Sequence, residues 1–485
     1  MPLLDAAQWS GKINIGGWTE STGGVQDVVE PATGSVLGSI GIASEDDVLR
    51  AATLAARAQQ DWAATPPEGR AAVLRRAGRL FEEHAAEVQD WIIREGGSIG
   101  PKAGVETHIA ANECYEASAL PSHPQGEVLT SDEGRWSFAR RRPAGVVGVI
   151  APFNYPLVLS IRSVAPALAL GNAVLLKPDP RTAVCGGVTL SRIFEEAGLP
   201  SGVLSLVPGG EAAGVALVEA PEVRVISFTG STAVGRKVGA LGAQLLKRVH
   251  LELGGNSALI VLPGAELSQA ASAGAFGSFL HQGQICMTTG RHFVHESLYD
   301  DYVAELSAKA ENLAVGDPAS GQVALGPVID EHQLNRIDGI VQEAVARGGR
   351  LTAGGTYEGL FFRPTVLADL DLDNPAFAQE IFGPVAPVTP FSTIDEVVGM
   401  VNANDYGLSV GILGDVGTAM KIADRVNSGK VHINEQTVSD EANAPFGGVG
   451  VSGTGSRLGG ATANIEAFTE VQWLTVRPDV PEYPF

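Results

Sequence analysis

The sequence predicts an α/β fold built from two parallel-sheet units and a small β arm, on three observations. Short β-branched or aliphatic runs alternate with helix-length stretches between residues 146 and 254. A second series of the same kind runs from 257 to 434, and a polar hairpin pattern precedes the first series. Strand–helix–strand spacing of this sort specifies a buried parallel sheet with right-handed crossovers. At 485 residues the chain can bury two or three large cores without disulfide or metal staples.

Taken in order, residues 1–45 read as short strands and polar turns. The stretch 44–86 is alanine-rich and helical, with Ser44 as N-cap and Glu45, Asp46 and Asp47 as an acidic first turn. Thr65-Pro66-Pro67 breaks it, a second helix starts near Glu68, and a third covers 101–119. Runs 126–130 and 135–142 flank Ser131-Asp132-Glu133-Gly134 as a hairpin. The first sheet unit follows, with strands at 146–150, 173–176, 203–207, 223–228 and 249–253 and helices at about 157–170, 182–197, 212–219 and 232–246. Ligands of such sheets lie beyond the carboxyl ends of the strands. Asn154, Lys177, Gly209, Ser231 and Glu252 fall there. The second unit alternates through 257–262, 291–295, 300–312, 331–346, 384–391, 396–402, 408–413, 418–427 and 430–434.

Bulk properties exclude several classes. A formal net charge of −22 argues against nucleic acid or an anionic membrane as partner. Residues 1–11 lack a basic segment followed by an apolar one, and the apolar run 163–176 is too short to span a bilayer and contains Pro166, Gly171 and Asn172. The expectation is a cytoplasmic protein. Cys114, Cys185 and Cys286 are too few for a disulfide framework, and no histidine has zinc-ligand spacing with cysteine, so no metal is expected.

Chemistry concentrates in three polar islands set in apolar chain. Cys286 lies in Gln282-Gly283-Gln284-Ile285-Cys286-Met287-Thr288, where glutamines and a glycine pack a core poorly but suit close backbone approach to a substrate. A reduced cysteine used as a small hydrophobe is the competing reading. Glu252 lies in Leu251-Glu252-Leu253-Gly254-Gly255-Asn256, and Asn154 in Ala151-Pro152-Phe153-Asn154-Tyr155-Pro156. A thiol nucleophile, a carboxylate base for water and an amide oxyanion donor make a set for covalent catalysis at a carbonyl. Cys286 belongs to the second unit and the other two to the first, which places the site in the cleft between them.

These islands carry a resemblance. From about Val28 to Val476 the chain resembles the NAD(P)-dependent aldehyde dehydrogenase superfamily, through PFNYP, the lysine of LLKPD, FTGSTAVG, LELGGN, GQIC, EIFGP and APFGGVGVSGTG in the family's order. The longer segments look most like the bacterial benzaldehyde, vanillin and salicylaldehyde dehydrogenases. The resemblance implies a Rossmann-type cofactor unit over 1–122 and 143–254 and a catalytic unit over 255–455. It makes 123–142 and 456–485 an oligomerisation arm and C-terminal segment, so a homodimer or homotetramer is expected. NAD or NADP would rest on Ile150, Ala151, Pro152, Phe153, Lys177, Gly209, Gly210, Phe228, Gly230, Ser231, Leu253, Gly254, Glu380 and Phe382. A small-molecule aldehyde would meet Tyr155, Arg162, Ile285, Met287 and Phe446. A semialdehyde dehydrogenase is the alternative, ahead of a coenzyme-A-acylating enzyme or an inactive homologue.

Two departures from the family pattern matter. Pro180 stands where a glutamate commonly excludes a 2′-phosphate, which leaves Lys177 and Arg181 open to NADP. Arg162 stands where an aromatic residue commonly lines the substrate tunnel. Two motifs are decoys. Gly448-Val449-Gly450-Val451-Ser452-Gly453 follows no strand and opens no βαβ unit, so it reads as a loop of close backbone approach. Asp369, Asp371, Asp373 and Glu380 have calcium-loop spacing, but Asn374 replaces the glycine of the turn and Pro375 follows.

Overall fold

The computed structural model describes residues 2–485. It contains two seven-stranded sheets. The first runs Arg248–Glu252, Val223–Thr229, Val146–Ile150, Ala173–Lys177, Leu204–Leu206, Lys12–Asn14, Trp18–Glu20. Its first five strands are parallel, and the N-terminal pair adds on antiparallel at the edge. The second runs Arg350–Ala353, Thr365–Ala368, Val385–Phe391, Thr289–His295, Ser257–Val261, Ser409–Leu413, Lys430–Ile433. There only Arg350–Ala353 is antiparallel. The central strands are buried from end to end, as apolar runs covered by helices on both faces must be.

The helices before the first sheet start where their caps dictate. Ser44 and Asp47 form a reciprocal capping box on Glu45–Ala64. Pro67 opens Pro67–Glu83 at the one place where its missing N–H costs nothing. A separate helix, Ala85–Gly96, stands where sequence periodicity ran out, and Gly97 ends it in the left-handed conformation (φ 63°). Gly100–Ala119 follows as expected. The segment expected as one helix over 182–197 is broken instead. It makes a tight turn at Pro180–Thr182, a widened turn at Val184–Val188, and then Thr189–Glu196. Buried Glu95 causes the irregularity by accepting from the backbone N–H groups of Val184 and Cys185.

Trp136–Pro143 pairs antiparallel with both Gly126–Leu129 and Thr469–Val476 to make the arm. The C-terminal segment divides, however. Leu458, Ile465, Ala467 and Phe468 sit in the core of the first unit, and only 469–476 belongs to the arm sheet. Strands Arg350–Ala353 and Thr365–Ala368 were not anticipated; at four residues each they are too short to display a period. Among the described residues no helix is long and apolar enough to cross a membrane.

Candidate active site

Asn154 is carried on the turn between strand Val146–Ile150 and helix Pro156–Ala169, whose first N–H groups point at buried Glu106. Glu106 accepts from Leu157 N at 2.9 Å and pairs with Lys102 at 2.5 Å. Lys102 Nζ donates in turn to the Asn154 carbonyl at 3.1 Å and stands 4.2 Å over the Tyr155 ring. A charged pair one helical turn apart therefore fixes the Asn154 backbone. The amide side chain spends one donor on Gln284 O, at 2.9 Å, and keeps its second.

Cys286 follows three consecutive left-handed residues, His281, Gln282 and Gly283 (φ 50°, 56° and 65°). Two of them are not glycine, so hydrogen bonds must hold the strain. Gln282 Nε2 donates to Gly97 O and Pro327 O, and Gln284 Oε1 accepts from Ile329 N. At Gly283 a Cβ would come within 2.0 Å of Gly383 O, so glycine is required twice over.

Cys286 and Asn154 line one cavity of about 240 Å³ between the units. Tyr155, Arg162, Ile285, Met287 and Phe446 line it too, as expected of a substrate set. Pro101, Lys102, Val158 and Leu159 also line it, and Val105, Ile109, Phe276, Leu280, Val438 and Asp440 complete the wall. Sequence gave no signal for those six, because five are ordinary apolar residues on distant elements. The wall is overwhelmingly apolar, which suits a ring more than a charged chain.

Glu252 ends strand Arg248–Glu252 and is held by a bridge to Gly453, so the glycine-rich decoy loop covers this strand end. A Cβ at Gly453 would come 2.8 Å from Leu251 O, the close backbone approach expected of that loop. The Glu252 carboxylate makes no hydrogen bond of good geometry, and the Gly448 backbone N–H is the polar group that faces it most closely. Burial pushes its pKa up to about 8, with Arg457 pulling against the shift. Burial, then Glu380, pushes the Cys286 thiol up to about 12, and Lys430 opposes this.

A second groove, about 480 Å³, opens along the carboxyl ends of the first sheet. Ile150, Ala151, Pro152, Phe153, Lys177, Gly210, Phe228, Gly230 and Ser231 line it. Gly209 does not; it is buried one residue behind, where a Cβ would meet Ala213. Leu253, Gly254, Glu380 and Phe382 do not line it either. Glu380 accepts from Gly255 N at 3.0 Å, and a Cβ at Gly255 would lie 2.4 Å from Cys286 O. The Phe382 ring meets Phe153 edge-on with centroids 5.9 Å apart. Of the calcium-like set, Asp369 is bound to Arg350 and Tyr299, and Asn374 caps a helical turn.

Arg162 lines the cavity and is also held by acidic partners. Its Nε donates to Glu113 and its Nη2 to Asp440 at 2.6 Å, while Nη1 is buried without a partner against the Phe446 ring. Burial works against its charge, but Asp440 and Glu113 outweigh it and raise its pKa. The Arg162→Leu variant should therefore lose stability by roughly 3–5 kcal/mol, the cost of orphaning a buried charge. Denaturant melts test this, and a loss below about 1 kcal/mol would show the ion pairs to be dispensable. Arg181 is likewise engaged, by Asp179 and Asp330, while it lines the second groove.

A model of the aldehyde dehydrogenase family matches residues 18–474. The chain is 62% identical to a vanillin dehydrogenase of an Amycolatopsis species, over the full length of both. It is 47% identical to an NAD(+) benzaldehyde dehydrogenase of Pseudomonas putida, covering 98% of each. A solved salicylaldehyde dehydrogenase of Pseudomonas putida, complexed with salicylaldehyde, superposes with a TM-score of 0.94 at 35% identity, covering 98% of this chain and 99% of that one.

Proposed function

The chain belongs to the aldehyde dehydrogenase family, and from that premise we propose that Cys286, Asn154 and Glu252 oxidise an aromatic aldehyde to its carboxylic acid. The observation that carries this is the apolar cavity in which the Cys286 thiol and the Asn154 amide share one wall. The Cys286 thiol gives its proton to water, and the thiolate sulfur attacks the carbonyl carbon. The free Asn154 donor and the Cys286 backbone N–H stabilise the oxyanion that develops. Expulsion of hydride leaves the acyl group on sulfur as a thioester. Glu252 then takes a proton from water, whose oxygen attacks the thioester and releases the acid. Once ionised, a buried carboxylate with its pKa raised to about 8 is a strong base for that step.

The groove residues fit a nicotinamide dinucleotide. Ser231 caps the exposed N-terminus of helix Thr232–Gln244, a site for pyrophosphate, with buried Lys177 on the same groove. Backbone is bare where close approach is needed, since a Cβ at Gly254 would meet Glu380 Oε2 at 2.3 Å. Glu380 has a carboxylate oxygen for ribose hydroxyls. When bound, the nicotinamide supplies the hydride acceptor.

We further propose that NADP serves alongside NAD, because no glutamate stands at position 180 and Lys177 and Lys237 border the groove. Paired kcat/KM measurements should differ by less than about a thousandfold, roughly 4 kcal/mol. Larger discrimination against NADP would refute it. The engagement of Arg162 by two carboxylates offsets its charge, which weighs against a carboxylated semialdehyde, while its free Nη1 donor suits a neutral ring oxygen. Exposed Val128, Trp136, Val471 and Trp473 on the arm sheet support association into a homodimer or homotetramer. Following NADH production from vanillin, benzaldehyde and succinic semialdehyde, with a thiol-blocking control, tests the whole reading. It fails if the semialdehyde is preferred or if thiol blockade spares turnover.

A further inference from the structure

We propose that Arg181 is a positioning residue that straps the mouth of the cofactor groove across the two sheet units and so sets how fast the dinucleotide leaves. The proposal rests on the reading of that groove as the cofactor site. Five contacts close a ring, and Asp179 anchors it.

On the first unit, Asp179 grips the guanidinium with both carboxylate oxygens, from Nε at 2.9 Å and Nη2 at 2.7 Å. It also accepts from the Arg181 backbone N–H at 3.0 Å, so the side chain is aimed before it reaches any partner. Directed in this way, Nη1 crosses to the second unit and donates to Asp330 Oδ2 at 2.6 Å. Asp330 is the N-cap of helix Glu331–Ala346, its other oxygen accepting from Gln333 N at 2.8 Å. Gln333 Nε2 donates to the Phe382 carbonyl at 2.7 Å and holds that residue in its left-handed conformation (φ 56°). The Phe382 ring meets Phe153, and the Arg181 guanidinium lies 4.3 Å over the Phe153 ring.

Arg181 and Phe153 both line the groove itself, so the ring of contacts lies at its edge. Its polar members remain partly open to water: the Arg181 side chain is 38% exposed and Asp330 33%. Solvent and salt can thus loosen the strap, which a device that opens every turnover requires. Were it an ordinary surface ion pair, its loss would change little. The difference is that this pair joins two bodies between which a ligand must pass.

Release of NADH, followed by stopped-flow fluorescence, tests the idea with the full-length enzyme. Asp330→Asn keeps the helix cap and removes the cross-unit charge. Arg181→Met removes the strap, and Arg181→Lys keeps the charge without the two-pronged grip. NADH should leave both Asp330→Asn and Arg181→Met roughly five- to tenfold faster, on the scale of one charge-assisted contact. Arg181→Lys should fall between them and wild type. Raising the salt concentration should speed release from wild type towards the variant rate and barely move the variants. Release at the wild-type rate from both variants, or equal salt dependence in all four proteins, would overturn the proposal. If wild type shows no NADH fluorescence change at all, the cofactor reading itself falls and takes the strap with it.

Discussion

Replacing Cys286 by alanine lowers steady-state aldehyde oxidation by about four orders of magnitude or more, the scale on which a covalent nucleophile is lost. Dinucleotide binding should hold within about twofold, because the groove is walled by other residues and Cys286 is not among them. Cys114 and Cys185 are fully buried in the first unit and line neither cavity. Their alanine variants should turn over at rates near wild type. NADH production by Cys286→Ala, or its loss in Cys114→Ala or Cys185→Ala, would displace the assignment. The half-buried thiol also predicts a pH response. With the free-enzyme thiol pushed up to about 12, alkylation of the apoenzyme by iodoacetamide should be slow at neutral pH and accelerate steadily into the alkaline range.

Glu252→Gln should separate the two halves of the reaction. The variant forms NADH once per site in a fast burst and then turns over about a hundredfold or more slowly, because the thioester lacks a base to activate water. A burst and steady rate equal to wild type would make the carboxylate structural. In wild type the deacylation rate should rise as pH passes about 8, where Glu252 becomes ionised. The same shift has a stability consequence. The folded-state pKa lies above the unfolded one, so folding favours the protonated acid. That contribution is whole below the ordinary carboxyl range and is lost as pH rises through about 8. The glutamine variant has no charge to bury, so at pH 9 it should melt at a higher temperature than wild type while being the slower enzyme.

The parallel sheets were legible because their strands are uninterrupted aliphatic runs punctuated by glycine. The three catalytic candidates were legible because each is a polar residue marooned in such a run. What lay beyond reading was whatever depends on partners distant in the chain. Glu106 looks like any solvated helix carboxylate, yet it is fully buried beneath the turn that carries Asn154. Arg162 was identified as a wall of the substrate site, but its partner Asp440 lies 278 residues away and no local pattern joins them. His281 and Gln282 adopt a backbone conformation that nothing in their residue type requires; the hydrogen bonds of the Gln282 side chain to Gly97 and Pro327 hold it. Helix Ala85–Gly96 escaped because His84 interrupts the chain with neither proline nor glycine.

The ion pairs around Arg162 bear on which relatives of this protein can arise. Arg162, Glu113 and Asp440 come from three separate parts of the chain, and each satisfies charge that another would leave buried. Any one of them exchanged alone for a neutral residue strands its neighbours in an apolar wall, whereas joint exchange for apolar residues of similar bulk can be close to neutral. The tolerable routes by which this pocket drifts towards a different aldehyde therefore pass through paired or triple changes. A library that varies these positions one at a time will return mostly unfolded clones and will understate what the scaffold can accept. Saturating all three together should recover viable pockets that no sequence of single steps would reach.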